Sequence, residues 1–174
     1  AFKRVKDTNH PVVVHLHTLK GHGLAVAEEN KEAFHWILPG TLDKKEEPAP
    51  VQSENYVSIT TDYILNKAEK DPSIIAISPA TPGAYGFTPE FRKKLGKQYL
   101  DVGIAEEQAV AMAAGMAKEG AKPLVITNVT FMQRCYDQIS HDVCINNSPV
   151  TILLNYANFD GLTDVTHLGI FGIS

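Results

Sequence analysis

The chain is poor in cysteine, in basic residues and in long apolar runs, and each shortage excludes a class of protein. Its 2 cysteines, Cys135 and Cys144, are too few for a disulfide-stabilised scaffold. One predicted helix carries both, about 13 Å of rise apart, so a disulfide is excluded and a reduced, cytoplasmic protein is expected. A net charge of −4 gives no electrostatic basis for binding nucleic acid. No apolar run approaches the roughly 20 residues of a membrane-spanning helix.

Helical and strand patterns alternate along the chain from residue 55, which predicts an α/β fold with a parallel sheet flanked by helices. Hydrophobic residues make up 44% and charged residues 21%, a mixture typical of globular domains. Thr88 and Pro89 are expected to cap and begin one of the helices. The expected helices cover 55–70, a segment from 89, 105–118 and 130–145, and the expected strands cover 73–78, 99–102, 123–127 and 149–154.

The beginning of the chain has a different character. The run PVVVHLHT at 11–18 is almost entirely apolar and β-branched, which predicts a strand buried in a parallel sheet, followed by a glycine turn after Lys20. Residues 38–53 hold three prolines and several charges, which is typical of a linker. We therefore expect 1–37 to end one domain and 54–174 to form another, incomplete domain.

An acidic residue, Glu106, follows the predicted strand at 99–102 and falls in the first turn of the next helix. Ligands of open α/β sheets bind just outside the carboxyl ends of the strands, which makes Glu106 a candidate site residue. The alternative is a surface carboxylate that stabilises the helix dipole.

Phe131 and Arg134 follow the next strand and lie one helical turn apart, where they could hold a flat ring and an anion. The alternative is a core phenylalanine beside a solvated arginine. An apolar stripe is expected on another face of the same helix, formed by Met132, Cys135, Tyr136, Ile139 and Val143.

Two further polar patterns are candidates for chemistry. Asp164 and His167 lie in a turn after the last predicted strand, which suits substrate contact or proton transfer, although local capping is an alternative. His15 and His17 form a possible metal pair, but no third ligand lies at an obvious spacing, so no metal site is assigned.

Several segments, in order, resemble one known family. DVGIAEEQAV at 101–110, VTFMQRCYDQ at 129–138, HDV at 141–143 and the 161–169 turn are similar to the pyrimidine-binding domain of the 1-deoxy-D-xylulose-5-phosphate synthase family. HLHTLKGHGLAVAEENKEAFH at 15–35 resembles the end of that family's diphosphate-binding domain. This family belongs to the thiamine-diphosphate-dependent transketolase superfamily. The resemblance implies a cytoplasmic, homodimeric transferase of isoprene and thiamine biosynthesis. It implies that the transferase condenses pyruvate with glyceraldehyde 3-phosphate, losing carbon dioxide.

The resemblance also implies roles for individual residues. Glu106 matches the glutamate that hydrogen-bonds the cofactor's aminopyrimidine and favours its active tautomer. The cofactor is also expected to contact Phe131, Asn128 and Lys20. Catalytic proton transfer is expected at His35 and His167, and substrate binding at Arg134, Asp164 and His167.

The chain departs from the family pattern at several positions. Asn128 stands where a tyrosine is common, Glu107 and Gln108 replace Gln-His, and NYAN at 155–158 replaces DRAG. Asp164 is one residue closer to His167 than the family spacing. These departures leave open a divergent paralogue, including a non-catalytic binding or regulatory partner, and another transferase of the superfamily.

The GDG motif that anchors the diphosphate and Mg²⁺ in this superfamily does not occur in the sequence. Because Mg²⁺ needs oxygen ligands that bridge protein and phosphate, those ligands are expected on a preceding part of a longer protein. We therefore expect the chain to be a portion of a larger synthase and to be inactive alone.

Overall fold

The computed structural model describes residues 1–35, 37, 39–40, 42, 55–155 and 169, and the structural statements below concern these residues. The chain divides into two compact units, Ala1–Pro50 and Val51–Ser174. The assignment of 1–37 to the end of a diphosphate-binding domain stays a prediction. Most of the 38–53 linker, and both Asp164 and His167, lie outside the described residues.

The first unit contains two short helices, α1 (Phe2–Val5) and α2 (Ala25–Glu29). The strand expected at 11–18 is wrong, because these residues have no regular secondary structure and only Val14 is even partly buried. A strand persists only where a neighbouring strand completes its hydrogen bonds, and the described part of this unit has none. The apolar composition of the run therefore did not decide its conformation.

The second unit is built on a four-stranded parallel sheet, as the alternating pattern predicted. Its strands are β1 (Ile74–Ser78), β2 (Tyr99–Asp101), β3 (Lys122–Asn128) and β4 (Thr151–Asn155). Their order across the sheet is β2-β1-β3-β4, and every pair is parallel. All four carboxyl ends therefore meet at one edge.

Helices cover both faces of this sheet. On one face lie α3 (Tyr56–Ala68) and α4 (Pro89–Leu95), with short 3₁₀ turns at Pro82–Tyr85 and Gly96–Gln98. Their core cluster contains Ile64, Ala68, Ala76, Tyr85, Phe87, Phe91, Leu95, Leu124 and Ile126. On the other face α5 (Glu106–Lys118) packs Ala109 and Ala113 against Ile77 and Val125. The alternation of β3 side chains between the two clusters is the period of a strand buried on both faces.

The helix starts agree with their sequence signals. Thr88 Oγ1 accepts a hydrogen bond from the Phe91 backbone N–H at 3.2 Å, and Pro89 occupies the first helical position, as expected. At α3, Asn55 and Ser58 form a reciprocal capping box. No helix among the described residues is long and apolar enough to cross a membrane.

The single helix expected at 130–145 is divided in the structure. It consists of α6 (Val129–Met132), a 3₁₀ turn (Gln133–Cys135) and a π-helical segment (Gln138–Ile145). The expected apolar stripe is therefore only partly correct, since Cys135 is fully buried whereas Tyr136 is 76% exposed. Changes between three helix types alter the rotation per residue, so a period of 3.6 does not keep the stripe on one side.

Candidate functional site

The carboxyl edge of the sheet is held together by Asp101, the last residue of β2. Its Oδ1 accepts hydrogen bonds from the backbone N–H groups of Gly103, at 2.9 Å, and Ala80, at 3.2 Å. Gly103 has a φ of +71°, a conformation that glycine adopts at little cost. These contacts join the loops that follow β1 and β2 and place the first turn of α5 at the edge.

Glu106 is the first residue of α5, and its carboxylate is buried, with a side-chain exposure of 3%. Arg134 Nη1 donates a hydrogen bond to Glu106 Oε2 at 3.0 Å. The helix N-terminus stabilises a negative charge at this position, and the arginine supplies a counterion. The alternative of a surface carboxylate is therefore wrong.

Arg134 and Phe131 are also in contact. The Arg134 Cζ atom lies 5.2 Å from the centre of the Phe131 ring, in a cation–π arrangement. The Arg134 side chain is 49% exposed. The structure thus brings together Glu106, which begins the helix after β2, with Phe131 and Arg134, which lie in the segment after β3, whereas their roles stay predictions.

Asn128 ends β3 immediately before α6, and it is 5% exposed. Although it occupies the N-cap position, its side chain does not cap the helix, and its Oδ1 has no hydrogen-bond partner among the described residues. An unsatisfied buried acceptor costs about 1–3 kcal/mol, so it needs an explanation such as a ligand.

Two more buried oxygens lack partners in the described part of the chain, Thr127 Oγ1 and Gln138 Oε1. Gln138 follows Arg134 by four residues, a spacing that puts two side chains on one face of a helix, so its sequence position was a usable signal. Thr127 gave none, because a threonine within an apolar run is indistinguishable from an ordinary strand residue.

Cys135 lies beside this cluster, and its side chain is fully buried. Burial, followed by the negative charges of Glu107 and Glu106, raises the pKa of its thiol to about 12. Cys135 and Cys144 are both free, with Cys144 exposed, in agreement with the expected absence of a disulfide. The buried thiol therefore stays neutral near physiological pH.

Lys20 and His35 belong to the first unit, and both are exposed there. Lys20 begins a turn in which Glu28 Oε1 accepts the Gly23 N–H at 3.0 Å and lies 3.1 Å from His22 Nδ1. Their participation in a site with Glu106 stays a prediction.

The pair of histidines considered for metal binding also lies in the first unit. The rings of His15 and His17 are 4.1 Å apart, centre to centre. Among the described residues, no group of three or more His, Cys, Asp and Glu side chains could hold a metal ion.

The class of protein is defined by a family model described as "Transketolase, pyrimidine binding domain", which matches residues 55–166. The chain belongs to this family. Its fold fits that assignment, since a parallel sheet presents a buried glutamate and an aromatic ring at its carboxyl edge.

The individual relatives are more specific. Proteins named 1-deoxy-D-xylulose-5-phosphate synthase are 39% identical over 173 residues in Clostridium botulinum, 41% over 174 in Clostridium perfringens and 38% over 170 in Aquifex aeolicus. The matches cover 99%, 97% and 98% of this chain but 28%, 27% and 27% of those proteins. The chain therefore spans a little over a quarter of their length. The resemblance predicted from the motifs is confirmed.

A solved chain titled "Split gene transketolase, inactive beta4 tetramer" is also similar to part of this chain. It is 22% identical, with a TM-score of 0.48, and the match covers 53% of this chain and 30% of that one.

Proposed function

We propose that this chain supplies the pyrimidine-binding half of the active site of a thiamine-diphosphate-dependent 1-deoxy-D-xylulose-5-phosphate synthase. The reaction is the condensation of pyruvate with glyceraldehyde 3-phosphate with loss of carbon dioxide. The observation that carries the proposal is the buried Glu106 carboxylate, next to Arg134 and the Phe131 ring, at the carboxyl edge of a parallel sheet.

The residues present fit an aminopyrimidine. A flat ring with nitrogen donors and acceptors needs an aromatic surface, a carboxylate to share a proton with a ring nitrogen, and further acceptors. Phe131 offers the aromatic surface, Glu106 the carboxylate, and Asn128 Oδ1 a buried acceptor without a partner among the described residues. Because Glu106 is 3% exposed, its hydrogen bonds are not weakened by competition with bulk water.

Thiamine diphosphate, when bound, supplies a nucleophilic thiazolium carbon that also accepts electrons. Glu106 holds a proton at the pyrimidine ring nitrogen and so fixes the ring's tautomer. Arg134, half exposed at the mouth of the site, is suited to bind an anionic group of a substrate. Lys20, His35, Asp164 and His167 would complete the site in the whole protein, and the Mg²⁺ ligands are expected outside this chain.

The whole protein is proposed to be a cytoplasmic homodimer, and this chain alone is expected to be inactive. The first statement rests on the family resemblance of the sequence, and the second on the small part of the relatives' length that the chain covers.

Activity of the protein made from its complete reading frame tests the proposal. The wild type should form deoxyxylulose phosphate from pyruvate and glyceraldehyde 3-phosphate with thiamine diphosphate and Mg²⁺. Glu106→Gln should lower kcat by about 10²-fold or more, since a positioned proton-transfer group contributes that much. Glu107→Gln, the same change at the adjacent position, should keep kcat within about 3-fold of the wild-type value.

The outcome also separates the alternatives. A wild-type protein without turnover would favour a non-catalytic paralogue, for which Asn128 in place of the usual tyrosine is the specific observation. Turnover with other ketose and aldose phosphates, but not with pyruvate, would favour a different transferase of the superfamily. Equal losses in Glu106→Gln and Glu107→Gln would contradict the assigned role of Glu106.

A further inference from the structure

We infer that the Arg134 guanidinium occupies the position of the aminopyrimidine ring while that ring is absent, and we call Arg134 a placeholder in this sense. Binding of the aminopyrimidine then displaces the guanidinium from Glu106 and Phe131. This inference rests on the proposed function, because it names a conformational device within that same site.

The first observation is that the planar Arg134 guanidinium makes both contacts that the aminopyrimidine ring would make. Arg134 Nη1 lies 3.0 Å from Glu106 Oε2, and Arg134 Cζ lies 5.2 Å from the centre of the Phe131 ring. A guanidinium is flat, carries N–H donors at its edge and packs on aromatic faces, as an aminopyrimidine does. The Arg134 side chain thus gives Glu106 a hydrogen bond and Phe131 a packing partner, as the aminopyrimidine ring would.

The second observation concerns burial. Glu106 is 3% exposed, so an unpaired charge there would be costly, whereas the Arg134 side chain is 49% exposed. The pair is therefore asymmetric: the carboxylate is fixed in the protein interior, and the cation reaches it from solvent. An arginine in this position can return to water at small cost once another group satisfies the carboxylate.

The third observation is that, in the described part of the chain, no second cation pairs with the Glu106 carboxylate. Among the described residues the only ion pair of Glu106 is with Arg134. Arg134 therefore keeps the ring-free site stable and competes with the ring for the same carboxylate. Its displacement frees a cation at the mouth of the site, where an anionic substrate would arrive.

The ring-free state is tested first, by a double-mutant cycle with Glu106→Gln, Arg134→Gln and the double variant of the 174-residue chain in urea. We expect Arg134→Gln to lower the folding equilibrium constant by about 30-fold when Glu106 is present. In the Glu106→Gln background the same change should lower it by less than about 5-fold. Equal losses in the two backgrounds would overturn the inference, because the pair would then not hold the ring-free site.

Binding of a neutral probe, 4-amino-2,5-dimethylpyrimidine, tests the displacement without diphosphate or thiazolium. We expect Arg134→Gln to bind the probe at least about 5-fold more tightly than the wild type, because the competing cation is gone. Lys93→Gln removes one exposed positive charge elsewhere in the same unit and should leave the affinity unchanged. The Nε–H resonance of Arg134 should shift when the probe is added to the wild type.

The possible failures are distinguishable. If the probe binds, and Glu106→Gln abolishes binding, but Arg134→Gln leaves it unchanged or weakens it, the placeholder is overturned and the proposed function stands. If no variant binds the probe, including Arg134→Gln, both the placeholder and the proposed pyrimidine site are overturned.

Discussion

The parallel sheet carries a salt bridge at each end, and the two differ more in burial than in distance. At the amino edge Lys122 Nζ lies 2.6 Å from Asp71 Oδ2, with side-chain exposures of 68% and 30%. At the carboxyl edge Arg134 Nη1 lies 3.0 Å from Glu106 Oε2, with exposures of 49% and 3%. The shorter pair is the more exposed one.

The difference teaches that the separation of two charges does not rank their importance. Water competes with an exposed pair and screens it, so such pairs contribute little. Water cannot replace the partner of a buried carboxylate, so removal of that partner leaves an uncompensated charge. The carboxyl edge should therefore respond strongly to substitutions that the amino edge tolerates.

The largest expected effect tests whether the protein interior around Glu106 is closed to water. The thiol of Cys135 is buried beside Glu106, with a pKa raised to about 12, whereas Cys144 is exposed. At pH 8, Cys135 should react with a maleimide at least about 10³-fold more slowly than an ordinary thiol. Mass spectrometry should show one modified cysteine in the native chain and two in urea. Rapid modification of Cys135 in the native Cys144→Ser variant would show that water reaches this interior and would contradict the prediction.

The next effect compares the two pairs directly through matched substitutions of their cations. Arg134→Met should destabilise the chain by about 2 kcal/mol, because the Glu106 carboxylate is left buried without its hydrogen bond. Lys122→Met should shift the urea midpoint much less, since Asp71 can be solvated. Equal shifts in urea denaturation would remove the distinction between the two edges.

A smaller effect concerns the stability of the chain at low pH. Hydrogen bonds from Lys122 and then Ser73 lower the pKa of Asp71 from 3.8 to about 2. A carboxyl with a depressed folded-state pKa contributes stability above its unfolded pKa, and loses it as the pH falls through the folded value. The gap between wild type and Asp71→Asn should therefore be constant from pH 7 to pH 5 and close between pH 4 and pH 2. A gap that persists at pH 2, measured by urea midpoints, would argue against this pair.

The smallest effect extends the comparison to a partly buried carboxylate in the first unit. Glu28 accepts the Gly23 N–H at 3.0 Å, so Glu28→Gln should mainly speed hydrogen exchange of that amide. Glu29→Gln, at the next position of α2, is the matched control and should leave the exchange unchanged. If both variants behave alike, the turn does not depend on Glu28.

Local signals in the sequence predicted the elements of the second unit well. Thr88 and Pro89 placed the start of α4, because a cap and a proline act through their own backbone neighbours. Glu106 was found for a similar reason, since its position after a strand end follows from chain order alone. Its contact with Arg134, 28 residues further on, had no signal in the sequence.

Errors arose where distant partners decide the conformation. The run at 11–18 has strand composition, but the described residues of its unit contain no neighbouring strand. The segment 129–145 changes helix type although its apolar spacing suits one α-helix. The oxygens of Thr127 and Asn128 that lack a hydrogen-bond partner within the described ranges had no signal, because a missing partner is a property of the surroundings.

By itself the sequence determined the α/β class, the helix caps, the parallel sheet and the family, because these depend on neighbouring residues and on motifs in order. Tertiary structure alone decided the strand order β2-β1-β3-β4, the burial of Glu106 and its pairing with Arg134. Burial and pairing depend on groups brought together from distant positions, and packing of the whole unit determines which groups those are.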